Sequence, residues 1–173
     1  EPTSGEVGRI LRAGLREAAG KERTSIAARM NELFLFMADH ACHLDEIVLP
    51  SLNEGAVVLS DRYADSTAAY QGVTLQGIVP HPVSWIQEVF RPWNVVPDMT
   101  LLFLLDPESA LKRIGSRPGK EKFEHLEFLR SVDENFRSMA SGETGRFVLI
   151  DAAQDEEAVA RDATKAALEL LGR

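Results

Sequence analysis

A single cysteine, Cys42, among 173 residues excludes any disulfide within the chain and suits a reducing compartment such as the cytoplasm. Cations are the minority charge: 19 Lys and Arg stand against 27 Asp and Glu, a formal net charge of −8. That balance argues against a nucleic-acid partner, which calls for a basic face, whereas an acidic protein still binds phosphates by gathering its cations locally. No apolar run approaches the roughly 18 residues of a membrane span, and no secretory leader heads the chain. Residue 1 is Glu rather than Met, so the natural N-terminus is expected upstream. Internal repeats, linkers and low-complexity tracts are missing too. The expectation is one domain over residues 1–173, with 45% apolar content to supply its core.

What is present centres on Asp61–Gly72, DRYADSTAAYQG. Gly55–Ser60 before it is a short apolar run behind an Asn53-Glu54-Gly55 turn signal, which predicts a buried parallel strand. A strand tip that ends in Asp-Arg and opens a helix is where open α/β sheets place their ligands. Asp65, Ser66 and Thr67 are good helix-starting residues. Thr67 and Gln71 then share one helical face, with Ser66 and Tyr70 a step round it. A carboxylate, a guanidinium, two hydroxyls, a phenol and an amide thus converge, as a site for an anion bearing a polar ring would require.

The remainder alternates strands with helices. Val7, Ile10, Leu11 and Leu15 recur at helical spacing. A long helix is predicted from Ser25 to about Leu49, ended by Pro50, with Ile26, Met30, Leu33, Phe34, Met37, Ala41, Leu44 and Val48 inward. Val83–Phe90 reads as a short amphipathic helix flanked by Trp85 and Trp93, which suit the core or a dimer contact. Met99–Leu105 and Arg146–Asp151 read as further strands. Asp106-Pro107-Glu108 opens one helix, Phe123 to about Ala140 forms another, and Glu156–Leu171 closes the chain with Val159, Ala163 and Leu170 inward. Asp39, His40, Cys42 and His43 could be read as a metal cluster, but no second ligand pair stands elsewhere, so no metal-binding residues are assigned. The alternation predicts an α/β fold, a parallel sheet with helices on both faces.

The central stretch resembles the DR(Y/H)-x-x-S-x-x-A-Y-Q-G segment of thymidylate kinases, which phosphorylate dTMP to dTDP with ATP. Glu1-Pro2 with Gly8–Arg12, Leu33–His40 with Pro50, and Pro97–Arg113 resemble further segments of that family. The resemblance implies a P-loop NTPase-like fold of the nucleoside monophosphate kinase type, ATP and Mg²⁺ as cofactors, dTMP as partner, and a homodimer. It implies that Arg62 and Arg12 hold the acceptor phosphate, Glu1 lies near the metal and phosphates, and Asp61 orients Arg62 or a metal-bound water. Phe36 would stack on thymine, as its flat face allows. Thr67, Gln71 and Ser66 would approach the nucleotide, and Tyr70 would crowd the sugar 2′ position. His40 stands where the family carries a base-reading Arg, with fewer donors and a shorter reach. Residues 115–124 resemble the lid, in which Arg117 and Lys122 would cover the donor phosphates; Lys122 keeps charge without bidentate geometry. Ala152 and Ala153 would lie beside the adenine.

A phosphate-cradling GxxxxGK[ST] loop is nowhere in the chain, although phosphoryl transfer of this class depends on one. The resemblance places that loop, with the first strand of the sheet, upstream of Glu1. Residues 1–173 alone are therefore expected to fold poorly and to lack activity. A kinase for another nucleoside monophosphate, which His40 leaves open, and a non-catalytic nucleotide-binding paralogue are the alternatives.

Overall fold

The computed structural model describes residues 2–18, 25–114 and 126–172. Glu1 and the whole 115–124 lid segment, including Arg117 and Lys122, lie outside the described residues.

The first helix, α1 (Glu6–Ala18), buries Leu11 and Leu15 and leaves Ile10 outside, with 53% of its surface exposed. Ser25 caps α2 (Ile26–His43), its hydroxyl accepting from the Ala28 amide at 3.2 Å, as a side-chain oxygen at the N-cap should. The helical run does not stop at Pro50, contrary to expectation. A π-helical turn, Leu44–Val48, leads directly into α3 (Leu49–Asn53), and Pro50 falls in the first turn of α3, where a missing N–H costs little. The inward stripe also differs from expectation. Leu33, Met37, Leu44 and Val48 are buried, but Ile26 and Phe34 face out, while Glu32, Asp39 and His40 are enclosed.

The expected strand at Gly55–Ser60 does not form. Gly55 turns the chain with φ 79°, and residues 56–60 run without helical or ladder structure, leaving Val57 and Leu59 exposed. A strand-like sequence becomes a strand only where a neighbouring strand takes up its amides and carbonyls, and among the described residues no strand pairs with 56–60. Helix α4 (Ala64–Thr74) begins one residue earlier than the polar trio suggests, with the extended Tyr63 as N-cap. Helix α5 (Pro82–Phe90) starts on a proline at N1.

Strand β1 (Thr100–Leu104) pairs in parallel with β2 (Phe147–Asp151), in a register that sets Thr100 beside Phe147 and Leu104 beside Asp151. They are the two strands of the described residues, joined by α6 (Pro107–Ile114) and α7 (Leu126–Gly142) and followed by α8 (Glu156–Leu170). Leu170 of α8 is exposed rather than inward.

The principal core lies among α2, α4, α5 and α7, built on Leu33, Ala68, Ala69, Leu75, Ile86 and Val132. Small residues on α4 let its neighbours approach. A Cβ at Gly72 would stand 2.6 Å from Val83 Cγ2 and 3.2 Å from Asn135 Nδ2, so glycine is required by contact rather than by conformation. Asn135 fastens the same junction by donating to the Ala69 carbonyl at 2.9 Å.

Candidate active site

A second, smaller cluster forms the floor of the site. Leu11 and Leu15 of α1 are buried against Phe36 of α2, Tyr70 of α4 and Phe128 of α7. Phe36 and Tyr70, expected to flank a base and a sugar, are thus brought to one place by four helices. Arg62 joins them from the N-terminal end of α4: its guanidinium carbon lies 5.1 Å from the centroid of the Tyr70 ring, within cation–π range.

Arg62 has an uncommon backbone for a residue with a Cβ. Its φ is 70°, in the left-handed region, and the Ser60 hydroxyl donates to its carbonyl at 2.8 Å. Tyr63 anchors the other side of the turn, its phenol donating to the Val95 carbonyl at 2.9 Å. Asp61 and Arg62 are exposed at this turn, and Ser66 is half-buried behind it.

Further along α4, Thr67 and Gln71 are buried one turn apart. The Gln71 amide nitrogen donates to Glu32 Oε1 at 3.0 Å, which fixes the amide's orientation. Its Oε1 and the Thr67 hydroxyl oxygen have no hydrogen-bond partner among the described residues. Buried polar atoms usually have partners, so two orphans on one helical face mark a place where a polar ligand would be welcome.

Arg12 is occupied differently. Its guanidinium donates to the Pro2 carbonyl at 2.5 Å and to the Thr3 carbonyl, pinning the segment that precedes α1. Asp39 holds the same segment, accepting from the Thr3 amide at 2.7 Å and the Thr3 hydroxyl at 2.6 Å. Gly8 lies against this junction, and a Cβ there would run into the Thr3 backbone and stand 2.8 Å from Asp39 Oδ1.

His40 does not join Phe36. It is fully buried, with Nε2 2.8 Å from Asn94 Oδ1 and its ring edge-on to Tyr63, Phe90 and Trp93 at centroid distances of 4.4, 5.2 and 5.7 Å. Its imidazole is committed to this aromatic cluster, one turn of α2 away from Phe36. No group of three or more His, Cys, Asp or Glu is arranged to hold a metal among the described residues. Ala152 and Ala153 follow β2 as a tight loop: the Ala152 amide donates to the Leu104 carbonyl at 2.9 Å and the Ala153 amide to Asp151 Oδ1 at 2.9 Å.

Sequence reasoning missed two polar devices. One is the Glu32–Gln71 pair, whose acid hides beside Leu33 on an otherwise apolar face. The other joins Arg146, Asp65 and Thr100. Arg146 donates from Nη1 to Asp65 Oδ2 at 2.6 Å and from Nη2 to Asp65 Oδ1 at 3.0 Å, while Nη1 also reaches the Thr100 hydroxyl at 2.7 Å. Burial opposes the charge on Arg146, but the hydrogen bonds to Asp65 and Glu143 outweigh it and hold its pKa above the ordinary guanidinium value. An Arg at the mouth of a strand and an acid in a helix's first turn were the available signals.

Residues 1–163 match the family model described as thymidylate kinase. A probable thymidylate kinase of Methanosarcina mazei is 44% identical over 173 residues, covering 100% of this chain and 81% of that protein. One from Methanosarcina barkeri is 43% identical over 157 residues, covering 91% and 77% respectively. Another from Halobacterium salinarum is 42% identical over 171 residues, covering 99% and 81%. The chain belongs to the thymidylate kinase family.

Proposed function

We propose that the protein transfers the γ-phosphoryl group of ATP to dTMP, giving dTDP and ADP. The observation that carries this reading is the face of α4 on which the buried, unpartnered Thr67 hydroxyl and Gln71 Oε1 lie one turn apart, with Arg62 over Tyr70 at the helix's head. A thymine edge offers polar atoms to such a pair, while the Phe36 ring supplies a flat apolar surface to its face. Arg62 then meets the acceptor phosphate, with the α4 N-terminus adding its partial positive charge. Tyr70 crowds the ribose 2′ position and favours deoxyribose.

Transfer of this kind is catalysed chiefly by positioning and charge neutralisation, so no covalent nucleophile is needed. Bound Mg²⁺ would supply neutralising charge at the donor phosphates. Asp61, an exposed carboxylate beside Arg62, would orient Arg62 or a water bound to that ion, since Mg²⁺ keeps several waters alongside phosphates. Arg12 approaches the acceptor phosphate from α1 once its hold on the Pro2 and Thr3 carbonyls is exchanged for it. Glu1, Arg117 and Lys122 would act on the phosphates, with Ala152 and Ala153 beside the adenine.

The protein acts in the cytoplasm, the reducing compartment that a lone Cys42 suits, and as a homodimer. Support for pairing comes from Ile26, Phe34 and Ile47, which leave apolar surface open on the helical run from α2.

The test is steady-state assay of the full-length gene product against dTMP, dUMP and the other nucleoside monophosphates, with Arg62→Ala beside it. dTMP should be the preferred acceptor. Loss of one hydrogen bond to a charged group is worth about 1.5–3 kcal/mol, so Arg62→Ala should lower kcat/KM roughly 10- to 100-fold. Preference for another acceptor would move the protein to a different nucleotide, and absence of turnover would make it a binding paralogue.

A further inference from the structure

The acceptor helix α4 carries a negative charge where its ligand is also negative. Asp65 lies in the first turn of α4, three residues after Arg62 and two before Thr67. A carboxylate there suits the helix dipole but opposes an incoming phosphate. The structure removes that conflict with a group 81 positions away in the sequence. Arg146, immediately before β2, grips both oxygens of Asp65, and the Thr100 hydroxyl at the head of β1 donates to Asp65 Oδ2 at 3.2 Å. The Thr100 amide donates to the Arg146 carbonyl at 2.9 Å, so the heads of both strands are tied into the same knot. Only 12% of the Arg146 side-chain surface and 16% of the Asp65 side-chain surface is exposed, so solvent screens this pair little.

We infer that Arg146 is a positioning residue for the acceptor site. It neutralises Asp65 and fixes the first turn of α4 so that the left-handed Arg62 and the helix N-terminus present net positive charge to the acceptor phosphate. The fork geometry matters, because two parallel N–H donors fix direction as well as charge, which a lysine does not do. This inference rests on the assignment of α4 as the acceptor helix.

Electrostatic positioning and plain scaffolding make opposite forecasts for a double variant. Arg146→Gln leaves Asp65 charged, with the Thr100 hydroxyl but no cation to offset it against the acceptor phosphate. Its KM for dTMP should rise roughly 10- to 100-fold, the scale of one charge-assisted contact, while the KM for ATP moves less than about twofold. Arg146→Gln with Asp65→Asn removes the charges of that pair, leaving Glu143, whose side chain is 43% exposed, to solvent, and should regain most of the loss, to within about threefold of wild type by the same measure. Arg146→Lys, which keeps the charge but not the fork, should fall between the two. The readouts are the KM values for dTMP and ATP in the full-length gene product, calorimetric affinity for dTMP without ATP, and the melting temperature of each variant.

A double variant as impaired as Arg146→Gln, or one that loses dTMP and ATP affinity alike, would overturn the inference and leave Arg146 a scaffold residue. So would an Arg146→Gln protein that melts earlier but binds dTMP as wild type does. Wild-type protein without dTMP kinase activity would instead overturn the proposed function, and the two failures are separable because each reads a different protein.

Discussion

The helical side of the molecule and the two-stranded side bury their apolar residues to different degrees. Around α4, Leu33, Ala69, Leu75 and Ile86 have no exposed surface, and Glu32 and His40 are enclosed with partners. On the other side, Phe147 and Ile150 of β2 are buried, but Phe103 of β1 and Leu149 of β2 are 49% and 56% exposed. The difference follows from how each element satisfies its backbone. A helix pairs its own amides and carbonyls and needs neighbours only for its apolar stripe. A strand needs neighbours for both, so its burial depends on whatever lies alongside.

The sharpest way to break this comparison is to cut into the helical core. Leu33→Ala in the full-length gene product should cost about 2–5 kcal/mol by urea denaturation, since the side chain is fully enclosed and α4 cannot readily collapse onto the gap. A loss below about 1 kcal/mol would show that this side is no better packed than the other.

Phe36→Ala tests the boundary between core and site, because the ring is half-buried against Leu11 and Leu15. Stacking on an aromatic face is worth about 1–3 kcal/mol per base, so dTMP affinity should fall by that amount while ATP affinity holds. Equal losses for both nucleotides in calorimetry would make Phe36 a packing residue alone.

The smallest effect belongs to the strand side. Asp106 caps α6 just after β1, accepting from the Ser109 amide at 2.9 Å. That backbone hydrogen bond outweighs the slight desolvation and lowers its pKa below the ordinary 3.8. A depressed carboxylate pKa contributes stability above its unfolded value and loses it as pH falls through the folded one. Asp106→Ala should therefore flatten the acid end of the stability profile, below about pH 4, and leave neutral-pH activity alone. An acid limb that is the same with and without Asp106 would remove this cap from the account.

Much of this was readable in advance, for reasons that differ by residue. The β1 and β2 strands are continuous apolar runs, and Ser25 and Asp106 announce helix starts by their own chemistry, whereas α5 was expected from Val83 and starts on Pro82. The DRYADSTAAYQG stretch made the candidate site legible because its spacing already puts Thr67, Tyr70 and Gln71 on neighbouring faces of one helix. Periodicity failed where polar groups replaced apolar ones inside: Glu32 and Asp39 are buried because Gln71 and Thr3 meet them, and neither partner is nearby in sequence. It failed again at 55–60, where the side chains favour a strand but the pairing depends on another segment. Arg146 was read only as a strand residue, since its partner Asp65 lies 81 positions away.

The left-handed backbone of Arg62 has a consequence for how this protein can be improved. A residue with a Cβ loses roughly 1–2 kcal/mol in that conformation, and glycine or asparagine there would relieve it. Any selection that rewards heat resistance alone should therefore enrich glycine at position 62, and, on the proposed role of Arg62 at the acceptor phosphate, its winners should be the sturdiest and least active members of the library. Sorting the same library by turnover should reverse the ranking at that one position, so thermal engineering of this scaffold has to hold Arg62 fixed.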